Sequence, residues 1–108
     1  MSTAEDHTRF KSIIYRALSD PIRLEILTYL RDGEKCVCQI VPHLNLIQPL
    51  VSRHLKILKD AGIVRFRKDG TKRLYSIADP KIYTVLDALN AELTASLMKE
   101  AFQSVTYR

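Results

Sequence analysis

Cys36 and Cys38 are the only cysteines in the chain, and one residue, Val37, separates them. That spacing is too short to staple a fold by closing a useful loop, so the pair reads as a chemical use for thiols in a reducing compartment. Thiolates are soft donors suited to thiophilic ions, and a helix N-terminus lowers a thiol's pKa. In a regular helix residues i and i+2 point about 200° apart, so two sulfurs converging on one ion need extended or distorted backbone around Val37. Closing a disulfide across one residue strains the ring, which argues against a stable oxidised form. Taken alone, two small apolar residues on a buried face are an equally good reading.

A second constellation is electrostatic. Eight of the seventeen Lys and Arg residues lie between Arg53 and Arg73, opposed there only by Asp60 and Asp69, so this block carries about +6 where the whole chain carries +5. A pI near 9.4 fits a polyanionic partner or an anionic membrane surface, and the distribution of charge must decide between them. Cations confined to one helix and the ribbon after it suit double-stranded DNA: the helix enters the major groove and the ribbon reaches the flanking backbone. A solvated charged surface is the plainer alternative for any one basic helix, but clustering on consecutive elements with intact apolar faces favours DNA.

These residues need elements to position them. Ser2 and Glu5 have capping-box spacing, and Phe10, Ile13, Ile14, Ala17 and Leu18 follow at helical spacing. Asp20–Pro21 starts a second helix carrying Ile22, Ile26, Leu27 and Leu30, which Asp32 and Gly33 stop. A short third helix spans about Val37 to Leu44, with Pro42 tolerable only near its start. A fourth runs from about Gln48 to Ala61, with Pro49 in its first turn and Gly62 after its end. Strands 64–68 and 73–77 form a hairpin through Asp69–Gly70, and one long last helix follows Asp79–Pro80 with Ile82, Leu86, Leu89, Leu93, Leu97 and Phe102.

Helix, turn, cationic helix and ribbon make a winged helix-turn-helix, mainly α with a small β-hairpin, in one domain over residues 1–108. With Val51, Leu55 and Leu58 buried, Pro49, Ser52, Arg53 and Lys56 face outward. Gln48 and Arg53 are the expected base readers; Ser52, His54 and Lys56 are assigned to phosphates or bases. His54 alone is a weak signal, a surface histidine being as good a reading. Arg67, Lys68, Lys72 and Arg73 at the hairpin tip are expected to add affinity through the backbone or minor groove.

No run approaches the roughly 18 apolar residues of a membrane span, and Met1 to Thr8 lacks the apolar core of a signal peptide, so a cytoplasmic protein without a membrane partner is expected. No catalytic triad, phosphate loop or convincing carboxylate pair is present, and His7, His43 and His54 fall in separate segments, which excludes the common enzyme classes. The apolar stripe of the last helix, with Phe10, Ile13 and Ile14, exceeds what one small monomer covers. A homodimer through helices at about 5–18 and 80–104 is therefore expected, and with it an inverted-repeat operator.

The stretches Ala17-Leu-Ser-Asp-Pro-Ile-Arg-Leu-Glu-Ile-Leu, Lys35-Cys-Val-Cys-Gln-Ile, Gln48-Pro-Leu-Val-Ser-Arg-His-Leu, and Gly62-Ile-Val through Leu74-Tyr-Ser-Ile resemble the ArsR/SmtB family of winged-helix metalloregulators, over about residues 10 to 100. The resemblance implies a homodimeric repressor that needs no cofactor to bind operator DNA and leaves it when an ion binds. Its Cys-Val-Cys motif is similar to the inducer site of arsenic and antimony sensors, which implies As(III) or Sb(III), or another soft metal, at Cys36 and Cys38. Thiol redox control is the alternative within the family, and a winged-helix protein-interaction module the alternative outside it. Five positions depart from relatives: Val41 stands where several arsenic sensors have a third Cys; Lys81, Glu92 and Ala95 replace the donors of the family's zinc site; and Ile47 replaces a Ser that would cap the recognition helix.

Overall fold

The computed structural model describes residues 3–106. The Ser2–Glu5 capping box expected at the N-terminus involves Ser2 and lies outside them. Helix α1 spans Thr3–Leu18 and α2 Pro21–Tyr29. Asp20 is extended, and its Oδ1 accepts the N–H groups of Ile22 at 2.8 Å and Arg23 at 3.2 Å, so the cap and the first-turn proline act as their types dictate. A 3-10 turn over Leu30–Asp32 closes α2, and Gly33, at φ +138°, redirects the chain.

Next come β1, Lys35–Cys36, then α3, Val37–Leu44, and α4, Gln48–Asp60. Strands β2, Val64–Asp69, and β3, Lys72–Ile77, form the wing, each one residue longer than expected at the tip. The turn residues are accordingly Gly70 and Thr71 rather than Asp69 and Gly70, because Asp69 pairs with Lys72. The sheet is three-stranded, in order β1-β3-β2, and all antiparallel. The two-stranded hairpin read from sequence therefore lacks a strand: Lys35 pairs with Tyr75 and Cys36 with Leu74. A two-residue strand has no periodicity of its own and forms only because β3 presents an edge to it.

The core lies where α2, α3 and α4 meet the sheet. Ile26, Leu27, Ile40, Val51, Leu55 and Leu58 are fully buried, which puts the expected inward faces of these helices inside. The last helix differs from expectation: it is two helices, α5 over Ile82–Ala88 and α6 over Ala91–Thr106. Asn90 makes the break. Its Oδ1 accepts the Leu93 N–H at 2.8 Å and its carbonyl the Thr94 N–H at 2.9 Å, starting a new helix. Helix α5 is held to α2 by the Tyr83 hydroxyl donating to the Leu27 carbonyl, and to the 3-10 turn by Arg31, which lies over the Tyr83 ring and makes two bonds to Asp87 at 2.7 and 3.0 Å.

Helix α6 stands out from the body, with Leu93, Leu97, Met98 and Phe102 exposed. The radius of gyration is 16.6 Å, against about 13 Å for a compact chain of this length. No helix among the described residues is long and apolar enough to cross a membrane.

Candidate nucleic-acid interface and thiol pair

The outward face of α4 and the wing enclose one groove of about 540 Å³, in which Pro49, Ser52, Arg53 and Lys56 meet Arg73. Phe66 forms its wall, with Lys59 Nζ 5.2 Å and the Arg73 guanidinium 5.3 Å from the ring centre. These contacts hold two long cations along the groove instead of leaving them to sweep solvent. Gln48, Pro49 and Arg53 are exposed and Ser52 is half-buried, so they lie on the outward side of α4 as helical spacing predicts. Lys56 is exposed and bonded to Asp60 one turn on, at 2.7 Å. Lys68 and Lys72 are exposed at the wing tip.

Two of the residues assigned to DNA are engaged by partners within the protein. His54 is 6% exposed and points inward from α4. Its Nδ1 lies 3.0 Å from an Arg23 guanidinium nitrogen and 3.9 Å from Asp20 Oδ1. Burial pushes its pKa down against the opposing pull of Asp20, with Arg23 and Arg53 adding to the depression. A neutral ring with Nδ1 accepting from Arg23 follows. Arg23 also donates from Nε to the Ala17 carbonyl at 2.6 Å, closing the C-terminal end of α1. The Asp-Pro-Ile-Arg segment and His54 thus join α1, α2 and α4 in one polar cluster, which buries the His54 ring away from the outward face of α4. Burial pulls the Asp20 carboxyl's pKa up, but the backbone N–H groups of Arg23 and Ile22, together with the His54 and Arg23 charges, leave it below its usual value.

Arg67 is exposed on the wing but forked onto Glu34, with both bonds at 2.9 Å, which raises its pKa. Its charge is neutralised by the residue preceding β1. Sequence reasoning missed Glu34 because a partner 33 residues away leaves no local signal. Arg23 was visible in sequence only as part of a resemblance.

The thiol pair sits where β1 becomes α3. Cys36 is the N-cap of α3 with extended backbone, φ −80° and ψ 157°, while Cys38 is already helical. The Gln39 Oε1 accepts the Cys36 N–H at 2.9 Å. Extended backbone at the first cysteine is what convergence was expected to require. The corner brings the two sulfurs together, with Cα atoms 5.1 Å apart. That separation is short because the strand-to-helix corner gives the two residues different backbone conformations, extended at Cys36 and helical at Cys38. Cys36 is buried and Cys38 exposed.

A cleft of about 760 Å³ runs from the cysteines to α4 and the wing, lined by Cys36, Cys38, Val41 and Pro42 on one side and by Gln48, Ser52, Thr71, Lys72, Arg73 and Tyr75 on the other. As a metal site the pair offers two soft donors, and no group of three or more His, Cys, Asp and Glu that could hold a metal occurs among the described residues. At the position of the family's other site, Lys81 faces Asp79 at 3.9 Å. Ile47 is extended and makes no side-chain cap, and Asn45 does not replace it: Asn45 is left-handed, at φ 54°, and ends α3.

The profile of the family described as "Bacterial regulatory protein, arsR family" matches residues 20–65. An HTH-type transcriptional regulator of Methanocaldococcus jannaschii is 46% identical over 74 residues, 68% of this chain and 83% of that protein. The arsenical resistance operon repressor of Staphylococcus xylosus is 42% identical over 82 residues, 76% of this chain and 75% of that one. The repressor SmtB of Mycobacterium tuberculosis is 46% identical over 77 residues, 70% of this chain but only 57% of that protein. Among solved structures, the homodimeric winged helix-turn-helix DNA-binding domain of a possible ArsR-family regulator from Mycobacterium bovis superimposes with a TM-score of 0.70 at 26% identity, covering 100% of this chain and 94% of that one. On fold, motif order and sequence identity together, the chain belongs to the arsR family of bacterial regulatory proteins, DNA-binding transcriptional regulators rather than enzymes.

Proposed function

We propose that this protein is a homodimeric repressor whose operator binding is relieved by a thiophilic ion, arsenite or antimonite in preference to others, held by reduced Cys36 and Cys38. The observation that carries the reading is the shared cleft: thiols, recognition-helix residues Gln48 and Ser52, and wing residues Lys72 and Arg73 line one cavity. Gln48 and Arg53 read bases; Pro49, Ser52, Lys56, Lys68, Lys72 and Arg73 position the duplex. The exposed apolar residues of α1 and α6, Phe10, Ile13, Leu93 and Leu97 among them, meet a second copy. Two-fold symmetry then calls for an inverted-repeat operator.

The thiols have two mechanical outlets. Cys38 lies in the first turn of α3, which leads through 45–47 into α4. Cys36 belongs to the wing sheet, bonded to the strand that begins with Lys72 and Arg73. A shift of the corner on ion binding would therefore move both halves of the reading surface, and a coupling of about 1–3 kcal/mol suffices for a usable switch.

The test is a mobility shift at fixed salt under reducing conditions, with and without arsenite, on wild type and Cys36→Ser. Arsenite is expected to release the wild type alone; equal release of both proteins overturns the thiol-sensor reading. Duplex binding that is absent or insensitive to salt would remove the repressor reading and leave a protein-interaction module. The juxtaposition of the two sulfurs supports one second reading, redox control, in which a peroxide or disulfide oxidant takes two electrons and two protons from the thiols. It requires oxidant to change DNA affinity, dithiothreitol to reverse the change, and arsenite to have no effect.

A further inference from the structure

The cleft beside the thiols is far larger than an ion. Its volume is about 760 Å³, against about 30 Å³ for a water-sized occupant, and it falls in the range of small-molecule sites. Its chemistry is also two-sided. Cys36 and Cys38 offer soft sulfur at one wall, Val41 adds no donor beside them, and Lys72 and Arg73 bring two exposed cations to the other. Trivalent arsenic takes three thiolates, and the remaining polar groups of the cleft, Gln48 and Ser52 among them, are hard donors.

We propose that the third ligand comes from solution as a small thiol bearing a carboxylate, with its sulfur on the metalloid and its carboxylate on Lys72 and Arg73. The proposal rests on the thiol-sensor reading above. In the exchange, arsenous acid loses three As–O bonds and gains three As–S bonds, two to the protein and one to the small thiol. Each thiol proton leaves with a hydroxyl as water, and no electrons change hands. The carboxylate then occupies the cations that would otherwise meet DNA phosphate, so the adduct competes with the operator directly, in addition to any movement of the corner.

The experiment titrates arsenite into the reduced full chain, followed by the arsenic–thiolate ultraviolet band, with either mercaptoacetate or neutral 2-mercaptoethanol as the small thiol. The intrinsic difference between these thiols is removed by repeating both titrations on Lys72→Gln/Arg73→Gln, whose substitutions lie at an exposed turn. The expected result is an advantage for mercaptoacetate about fivefold larger in wild type than in the double variant, the size of partly exposed ion pairs. An equal advantage in both proteins overturns the proposal while leaving the sensor reading intact. Absence of the band in wild type with either thiol overturns both. Cys36→Ser is expected to lose the band.

Discussion

Arg67 and Lys72 are both exposed cations of the wing, yet their surroundings predict opposite results when each is neutralised. Arg67 makes a forked pair with Glu34, both bonds at 2.9 Å, so its charge is already compensated before DNA arrives. Lys72 lines the cleft with Arg73. Each phosphate neutralised by a cation contributes about −0.9 to the slope of log K against log salt. Lys72→Gln, removing one contact from each half of a dimer, should therefore flatten the slope by about 1.8. Arg67→Gln should change it by less than about 0.5, and Glu34→Gln, which releases Arg67, should steepen it toward the value for two added contacts. Fluorescence anisotropy on a labelled duplex of mixed sequence is sufficient, because the electrostatic component does not depend on the operator. If Arg67→Gln flattens the slope as much as Lys72→Gln, the pairing with Glu34 does not persist in solution and the assignment of wing contacts is wrong.

Three further outcomes are expected. Ile47 is 69% exposed and extended, with no side-chain cap, so Ile47→Ser should gain a cap at little burial cost and raise stability by about 0.5–1 kcal/mol in urea unfolding; no gain would mean the first turn of α4 is satisfied otherwise. His54, facing Asp20, Arg23 and Arg53, has a folded pKa below its unfolded value of about 6.5, so the unfolded chain binds the proton more readily. Its contribution is complete above that value and declines as pH falls through the window beneath it. Denaturation at several pH values should show that slope in wild type and lose it in His54→Gln; an unchanged slope assigns it to other groups. Leu97→Glu, on the exposed stripe of α6, should weaken self-association by about 30-fold or more, from about 1–2 kcal/mol of lost burial on each side. Sedimentation equilibrium reads this directly, and an undiminished dimer would place the interface elsewhere.

Local chemistry made most elements legible before folding was considered. Asp20–Pro21 marks a helix start because a carboxylate and a preset φ act on neighbouring residues, and Val51, Leu55 and Leu58 mark a buried face because helical geometry repeats every few residues. The same periodicity placed Pro49, Ser52 and Arg53 on the outward side of α4. It failed where the chain changes state within a few residues. Asn90 caps α6 in the middle of an apolar stripe that runs on as though nothing intervened, and the stripe was read as one helix.

What the sequence determined by itself was the order of helices and wing, the location of the cations and the identity of the two sulfurs, since each is set by residue type and near neighbours. The tertiary structure alone decided which of those groups are available. It drew Cys36 into the wing sheet, turned His54 into the core against Arg23, and laid Arg67 on Glu34. Each of these joins residues more than thirty positions apart, where burial and charge pairing depend on packing and no local pattern records the partner. The convergence of the two thiols is the intermediate case: their spacing posed the question, and the strand-to-helix corner at Cys36, fixed by an edge of β3, answered it.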